Sequence, residues 1–297
     1  MFKSQEKSIS NVSYAKSILF EAYKKILSSF FLATFFIINK LPKGKFATSI
    51  GLEKIWSKTF KHEKENEVYL FHTPNWLTEY RARTFLSKEP ETIAWIDSFP
   101  LNSVLYDIGA NIGSYSIYAA KSKNSRVYTF EPSFLNLELL FRNIQTNNLQ
   151  DKVTIIPLSL SKSSQIENLY MQEGDNTWGG AHNSSGSNIT QDGDLMENFV
   201  ISSQMAISLD LLVEVFKLPM PNYVKIDVDG LESLILQGAR KTLSKATGIL
   251  VEVDKKNIIQ DAEIAQILDS LGFSKLNSID TIDLNENQIW IKSGVAS

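Results

Sequence analysis

Residues 104–113 read Val104-Leu105-Tyr106-Asp107-Ile108-Gly109-Ala110-Asn111-Ile112-Gly113. A short apolar run enters a turn holding two glycines, and a helical pattern follows over 114–122. Glycine at such a turn lets the backbone take a positive φ or approach a ligand closely. In an open α/β sheet, ligands bind above the carboxyl ends of the strands, beside a helix N-terminus. The stretch therefore predicts a buried strand over 103–108 with a binding crevice above it. A dinucleotide fingerprint asks for glycines at 109, 111 and 114. The chain has Gly109, Asn111 and Ser114, which argues against pyrophosphate binding there.

Outward from this stretch the rhythm is strand, helix, strand. Strands are expected over 126–131, 152–157, 223–228, 247–254, 272–276 and 287–293. Helices are expected over 134–147, 231–243 and 260–270. Alternation of this kind specifies a parallel, doubly wound sheet. Before it, residues 76–98 look helical up to Pro100, with Trp76 and Trp95 among their apolar positions. Tyr106 and Tyr115 also read as core. Residues 46–75 mix helix and strand signals. Residues 173–200 are rich in Gly, Asn and Ser and interrupt the rhythm, as a long functional loop does.

The 297 residues include 30 basic and 33 acidic side chains, 3 His and no Cys. Absence of Cys removes disulfides, Cys-based zinc sites, iron–sulfur clusters and thiol nucleophiles. A net charge of −3 argues against nucleic-acid binding by the whole chain. The charge is uneven. Residues 1–64 hold 12 Lys against 4 acids, a balance of +8, and the remainder holds 18 basic against 29 acidic, a balance of −11. The arm also holds an uncharged run, Ile26 to Asn39, of 14 residues. A bilayer span needs roughly 20, so a packing or membrane-surface helix is expected over 13–38, stopped by Pro42 and Gly44. The expected organisation is a basic helical extension over 1–75 and a sheet domain over 76–297.

Two acidic positions carry chemistry. Glu131 ends the second strand, where a carboxylate can accept hydrogen bonds from both hydroxyls of a ribose. Asp227 lies in Lys225-Ile226-Asp227-Val228-Asp229-Gly230, where the strand leaves the sheet. Alternation puts Lys225, Asp227 and Asp229 on one side of the pleat. Asp227 can orient a cationic donor, accept a hydroxyl proton or hold a metal. Asp229 can instead cap the helix that begins near Leu231. Asp229, Glu252 and Asp254 are further carboxylates near this edge, but no metal-ligand set is assigned. His182, in the long loop, is the second candidate base. Arg81 and Arg83 are candidates for pairing with a carboxylate, and Trp178 for stacking on a sugar ring.

Together the run VLYDIGANIG, the FEP at Phe130–Pro132 and KIDVDG resemble the FkbM-type S-adenosylmethionine-dependent methyltransferases. The resemblance covers roughly residues 76–276. NWLTEYRARTFLSKEPET, WGGA and ILQGARK are similar to members associated with surface-polysaccharide or glycolipid assembly. The family's usual KIDVEG stands here with Asp229 for Glu. The resemblance implies an α/β, Rossmann-like doubly wound sheet of seven strands, the last antiparallel, with a helical N-terminal extension. It implies S-adenosyl-L-methionine as cofactor, with Gly109, Asn111 and Gly113 shaping its pocket. Asp107 would support the turn or meet the donor's amino group, and Glu131 would hold the ribose. Ser159 stands near the expected adenine contact, where the family often has an acid and this chain has none. Asp227 would be nearest the transferring methyl group.

The function expected is O-methylation of a sugar in a glycan, polysaccharide or glycolipid. The expected location is the cytoplasm, peripheral to the inner face of an anionic membrane. An NAD-dependent oxidoreductase on the same sheet and a non-catalytic membrane-surface protein are the alternatives.

Overall fold

The computed structural model describes residues 22–23, 25–172, 176–181, 183–185, 195–196, 198–253, 257–279, 282–283 and 287–292. The chain divides into two compact units, Met1–Ser57 and Lys58–Ser297. That division falls earlier than the boundary drawn from the sequence, so residues 58–75 belong with the sheet.

In the first unit, helix α1 covers 25–40 and helix α2 covers Gly44–Trp56. The turn between them is closed by Leu41 N–H to the Ile38 carbonyl (3.0 Å) and Gly44 N–H to the Leu41 carbonyl (2.9 Å). Thr48 Oγ1 donates to Asn39 Oδ1 at 2.8 Å and ties the helices together.

The second unit begins with a hairpin, β1 (Thr59–Lys64) and β2 (Glu67–His72), then helices α3 (Trp76–Thr84) and α4 (Pro90–Asp97). The single helix expected over 76–98 is thus two. Asn75 caps α3 in a capping box with Thr78, and Pro90 begins α4, where its missing N–H costs nothing. Trp76, expected in the core, is 78% exposed, whereas Trp95 and Tyr106 are buried as expected.

The sheet follows: β3 (Val104–Ile108), α5 (Ser114–Ser122), β4 (Arg126–Phe130), α6 (Phe134–Thr146) and β5 (Val153–Ile156). Next come β6 (Ser159–Leu160), β7 (Gln165–Gln172), β8 (Asn183–Ser185), β9 (Phe199–Ile207), α7 (Leu209–Phe216) and β10 (Tyr223–Ile226). The chain continues with α8 (Glu232–Gln237), α9 (Arg240–Leu243), β11 (Gly248–Glu252), α10 (Ile258–Ser270) and β12 (Phe273–Lys275). It closes with β13 (Ser278–Ile279), β14 (Ile282–Asp283) and β15 (Asn287–Lys292).

Seven strands pair in the order β12-β15-β11-β10-β3-β4-β5. The five from β11 to β5 are mutually parallel, and β15 runs antiparallel to β11 and β12. This is the expected Rossmann-like sheet with its last strand reversed. Alternation along each strand feeds two cores, one per face. Tyr106, Ile108, Val224 and Ile226 pack with α7, α8 and α10, whereas Leu105, Val127 and Leu250 pack with α4, α5 and α6. The hairpin joins this second face. Its β2 edge is capped by α6: His72 N–H donates to Asn143 Oδ1 (2.7 Å), and Leu70 N–H to Asn147 Oδ1 (3.1 Å).

A second sheet, β6-β9-β7-β8, was not legible in the sequence. Residues 173–200, expected as one loop, contribute β8 and the first residues of β9. The β7–β9 ladder runs from Gln165↔Ala206 to Gln172↔Phe199. Its exposed positions include Ile166, Val200, Ile201 and Met205 beside Gln165, Gln172 and Ser203, so its strands show no polar–apolar alternation that sequence could reveal.

The β3–α5 turn leaves no room for a side chain. Gly109 has φ +81°, and a Cβ placed there would lie 1.7 Å from the Asp227 carbonyl oxygen. Gly109→Ala is expected to destabilise the protein by on the order of 2–3 kcal/mol, read as a lowered midpoint in chemical denaturation.

Candidate active site

The turn after β3 is pinned to its neighbours. Gly109 and Ala110 N–H both donate to the Phe130 carbonyl at the end of β4 (2.9 and 3.1 Å). Asn111 is left-handed (φ 52°), a conformation its short polar side chain tolerates. Gly113 (φ 85°) opens α5, and a Cβ there would meet Leu140 Cδ1 at 2.4 Å.

The turn gathers around Glu131, which is 4% exposed. Its Oε2 accepts from Asn111 N–H (2.8 Å) and its Oε1 from Ser133 N–H (2.9 Å). Burial pushes its carboxyl up to about 7 against the pull of those two donors.

Above the carboxyl ends of the strands lies a cavity of about 370 Å³, a size suited to a small-molecule ligand. Gly109, Asn111, Glu131, Ser159, Arg81 and Asp227 all line it. Two expected cofactor residues stand behind the wall. Asp107 is buried and accepts from Ser116 Oγ on α5 at 2.5 Å, so it supports the turn. Its other oxygen has no hydrogen-bond partner. Burial raises the Asp107 carboxyl, opposed by the Lys225 ammonium and Ser116. Gly113 packs on Leu140 and does not line the cavity.

At the other end is a charged group of three. Lys225 is fully buried, and its Nζ lies 2.5 Å from Asp227 Oδ2 and 5.2 Å from the Tyr115 ring centroid. Burial works against the Asp227 carboxylate, but Lys225 and a hydrogen bond from Glu252 outweigh it and hold Asp227 well below the usual range. Glu252 is pushed up to about 10, first by the charge of Asp227 and then by burial. The pair therefore favours charge on Asp227 and the proton on Glu252.

Lys225, Asp227 and Asp229 all line the cavity, but not by the expected alternation: β10 ends at Ile226, Asp229 is left-handed (φ 55°), and Val228 between the two aspartates lines the cavity too. Asp229 does not cap α8. That turn is held by Glu232, whose Oε1 accepts from Val228 and Gly230 N–H at 3.3 and 3.1 Å.

Arg81 lines the cavity and donates through Nε to the Gly179 carbonyl at 2.6 Å. Arg83 does not line it, and pairs with Glu79 at 2.6 Å on the surface. Trp178 also stands off the wall, its carbonyl accepting from Asn75 Nδ2 at 2.9 Å. Its neighbours Gly180 and Ala181 are on it, and Asn111 and Asn136 both donate to the Gly180 carbonyl (2.9 and 3.0 Å). His182 and Asp254 lie outside the described residues. Among the described residues, no three carboxylates or histidines are placed to hold a metal.

Sequence reasoning missed Lys88, Glu89 and the role of Tyr115, all on the wall. Tyr115 was read as core, yet it stands in the first turn of α5 and hydrogen-bonds Glu89. Its position two residues past Gly113 was the available signal.

These residues fit a cationic nucleoside donor. Carboxylates line the cavity at both ends, and Gly109 keeps its floor free of a side chain. The sheet order and the acid ending its second strand define a methyltransferase of the Rossmann-like class. Residues 107–275 match the model of the methyltransferase FkbM domain, and the chain belongs to that family. It is an S-adenosylmethionine-dependent methyltransferase, which sets aside the oxidoreductase and non-catalytic readings. The chain is 27% identical over 191 residues to the hexuronic acid methyltransferase AglP of Haloferax volcanii, spanning 63% of this chain and 72% of that one. Among solved structures it is similar to a methyltransferase FkbM from Methylobacillus flagellatus (17% identity, 72% of this chain, 53% of that one, TM-score 0.43). It is also similar to a precorrin-6y C5,15-methyltransferase from Geobacter metallireducens (14% identity, 68% and 86%, TM-score 0.40).

If ribose hydroxyls donate to Glu131, they favour its ionised form. Donor affinity is then expected to fall as pH drops below about 7, with proton release on binding near that pH. Calorimetry in buffers of different ionisation enthalpy reads both effects. Glu131→Ala is expected to weaken donor binding by about 10–100-fold and to abolish the pH dependence.

Proposed function

We propose that the protein transfers a methyl group from S-adenosylmethionine to a hydroxyl of a sugar in a glycan, surface polysaccharide or glycolipid. The observation that carries this reading is one cavity with a buried ribose-type acceptor, Glu131, at one end and an ionised carboxylate, Asp227, at the other. Glu131 would take the ribose hydroxyls, Gly109 and Asn111 would shape the wall beside them, and Ser159 would lie towards the base. Gly113 and Asp107 act one layer back, by fixing α5 and its turn. The bound donor would supply a methyl group on a positively charged sulfur.

Asp227 is the proposed base. Its ordinary basicity is reduced by Lys225 and Glu252, so it does not strip a free hydroxyl beforehand. It accepts the hydroxyl's hydrogen bond, aligns the oxygen and takes the proton as the new bond forms. Glu252 hydrogen-bonds to Asp227 and helps to hold the carboxylate in place for the acceptor. His182 remains the second candidate for this role.

A hexuronic acid is the substrate named for AglP, and it supports an acidic sugar here. Arg81 on the cavity wall would meet such a carboxylate. Trp178 is proposed to contact the glycan from the neighbouring segment.

Asp227→Asn is expected to lower kcat by at least about 100-fold while donor affinity changes little. A comparable loss in His182→Ala, with Asp227→Asn near wild type, would move the base to His182. For the acceptor, mass spectrometry of surface glycans with and without the protein should show loss of one CH₂ per modified sugar. An unchanged glycan profile alongside a methylated non-sugar product would refute the sugar assignment.

A further inference from the structure

The helices of the first unit leave a large apolar surface uncovered. On α1, Ile26, Phe30 and Ile37 recur at i, i+4 and i+11 and share a face, at 68%, 73% and 62% exposure. Leu27 and Phe31 form the adjoining stripe and are also exposed, as is Phe46 on α2. Contiguous apolar exposure on this scale marks an interaction surface.

Helix α1 is also built to leave water. Three of its polar side chains bond to its own backbone. Ser28 Oγ donates to the Lys25 carbonyl (3.0 Å), Thr34 Oγ1 to the Phe30 carbonyl (2.9 Å) and Asn39 Nδ2 to the Phe35 carbonyl (3.0 Å). A segment entering an apolar phase must satisfy its polar groups internally in this way.

Charge stands only at the ends of that run. Lys25 precedes it, and Lys40, Lys43 and Lys45 follow. Lys40 Nζ lies 4.5 Å from the Phe36 ring centroid, its stem along the apolar surface. At about 1.5 Å per residue the uncharged run is about 21 Å long, short of the roughly 30 Å hydrocarbon core. Among the described residues no helix is long and apolar enough to cross a membrane.

We infer that α1 and α2 form a docking surface for an anionic lipid bilayer. The Phe30 face enters the acyl boundary, and Lys25, Lys40, Lys43 and Lys45 meet the headgroup phosphates. The charge balance of residues 1–57, 9 Lys against 3 acids, selects this partner. A second copy of the chain seated on the same face would bring identical lysines together, which their repulsion opposes.

The test uses the full chain in flotation with phosphatidylcholine vesicles, with and without phosphatidylglycerol, at low and high salt. The protein is expected to float with the anionic vesicles at low salt. Its partitioning should fall at least about tenfold without phosphatidylglycerol or at high salt. Phe30→Asp with Ile37→Asp should abolish flotation while the thermal melt stays as in wild type, which shows the sheet unit intact. Lys40→Glu with Lys43→Glu should weaken binding to the anionic vesicles only. Wild-type flotation by the Phe30→Asp/Ile37→Asp variant overturns the inference. So does a dimer, seen by light scattering, that this variant breaks while wild type never floats.

Discussion

The site rests on a contact between two strand ends that leaves no room for a side chain. Gly109 sits against the Asp227 carbonyl, so β3 and β10 leave the sheet side by side. The same turn donates two backbone N–H groups to the end of β4 and a third, from Asn111, to Glu131. One backbone geometry thus fixes the distance between the ribose-type acceptor and the carboxylate proposed to act as base. Gly113 and Asp107 serve this geometry from behind, by seating α5 against α6 and against β3.

The electrostatics follow from crowding carboxylates into low dielectric. Glu131 has backbone donors but, among the described residues, no cation that pulls it down, and burial raises its carboxyl to about 7. Asp227 has Lys225, buried for this purpose, and stays ionised. Glu252 is pushed up in turn, because a second charge beside the Asp227 carboxylate in a buried site is unfavourable. Glu131 and Asp227 both face the cavity as hydrogen-bond acceptors for a donor's polar groups. Arg81 adds positive charge on the side facing the Gly179 segment.

The sheet was legible because its strands are short, continuously apolar and punctuated by Gly and Pro. The boundaries of β3, α5 and β4 fall within a residue or so of those expected. The β7–β9 ladder was not legible, because apolar residues such as Ile166, Val200 and Met205 stand exposed in it and its strands pair across a long gap in sequence. The break between α3 and α4 was hidden by apolar residues that continue through it. Trp76 opens α3 on the surface, and its apolar character alone does not reveal that exposure.

The sequence by itself determined the chemistry available: a Gly-x-Asn-x-Gly turn, an acid ending the next strand, an aspartate on the fourth, and a basic arm too short to span a bilayer. Periodicity and turn residues are local properties, so a single chain records them. Only the tertiary structure decided which groups meet. Lys225 neutralises Asp227, Glu252 from the neighbouring strand shares its proton, Tyr115 reaches Glu89, and Arg83 turns away to Glu79. Those outcomes depend on burial and on distances between residues far apart in the chain, and neither quantity is written in local sequence.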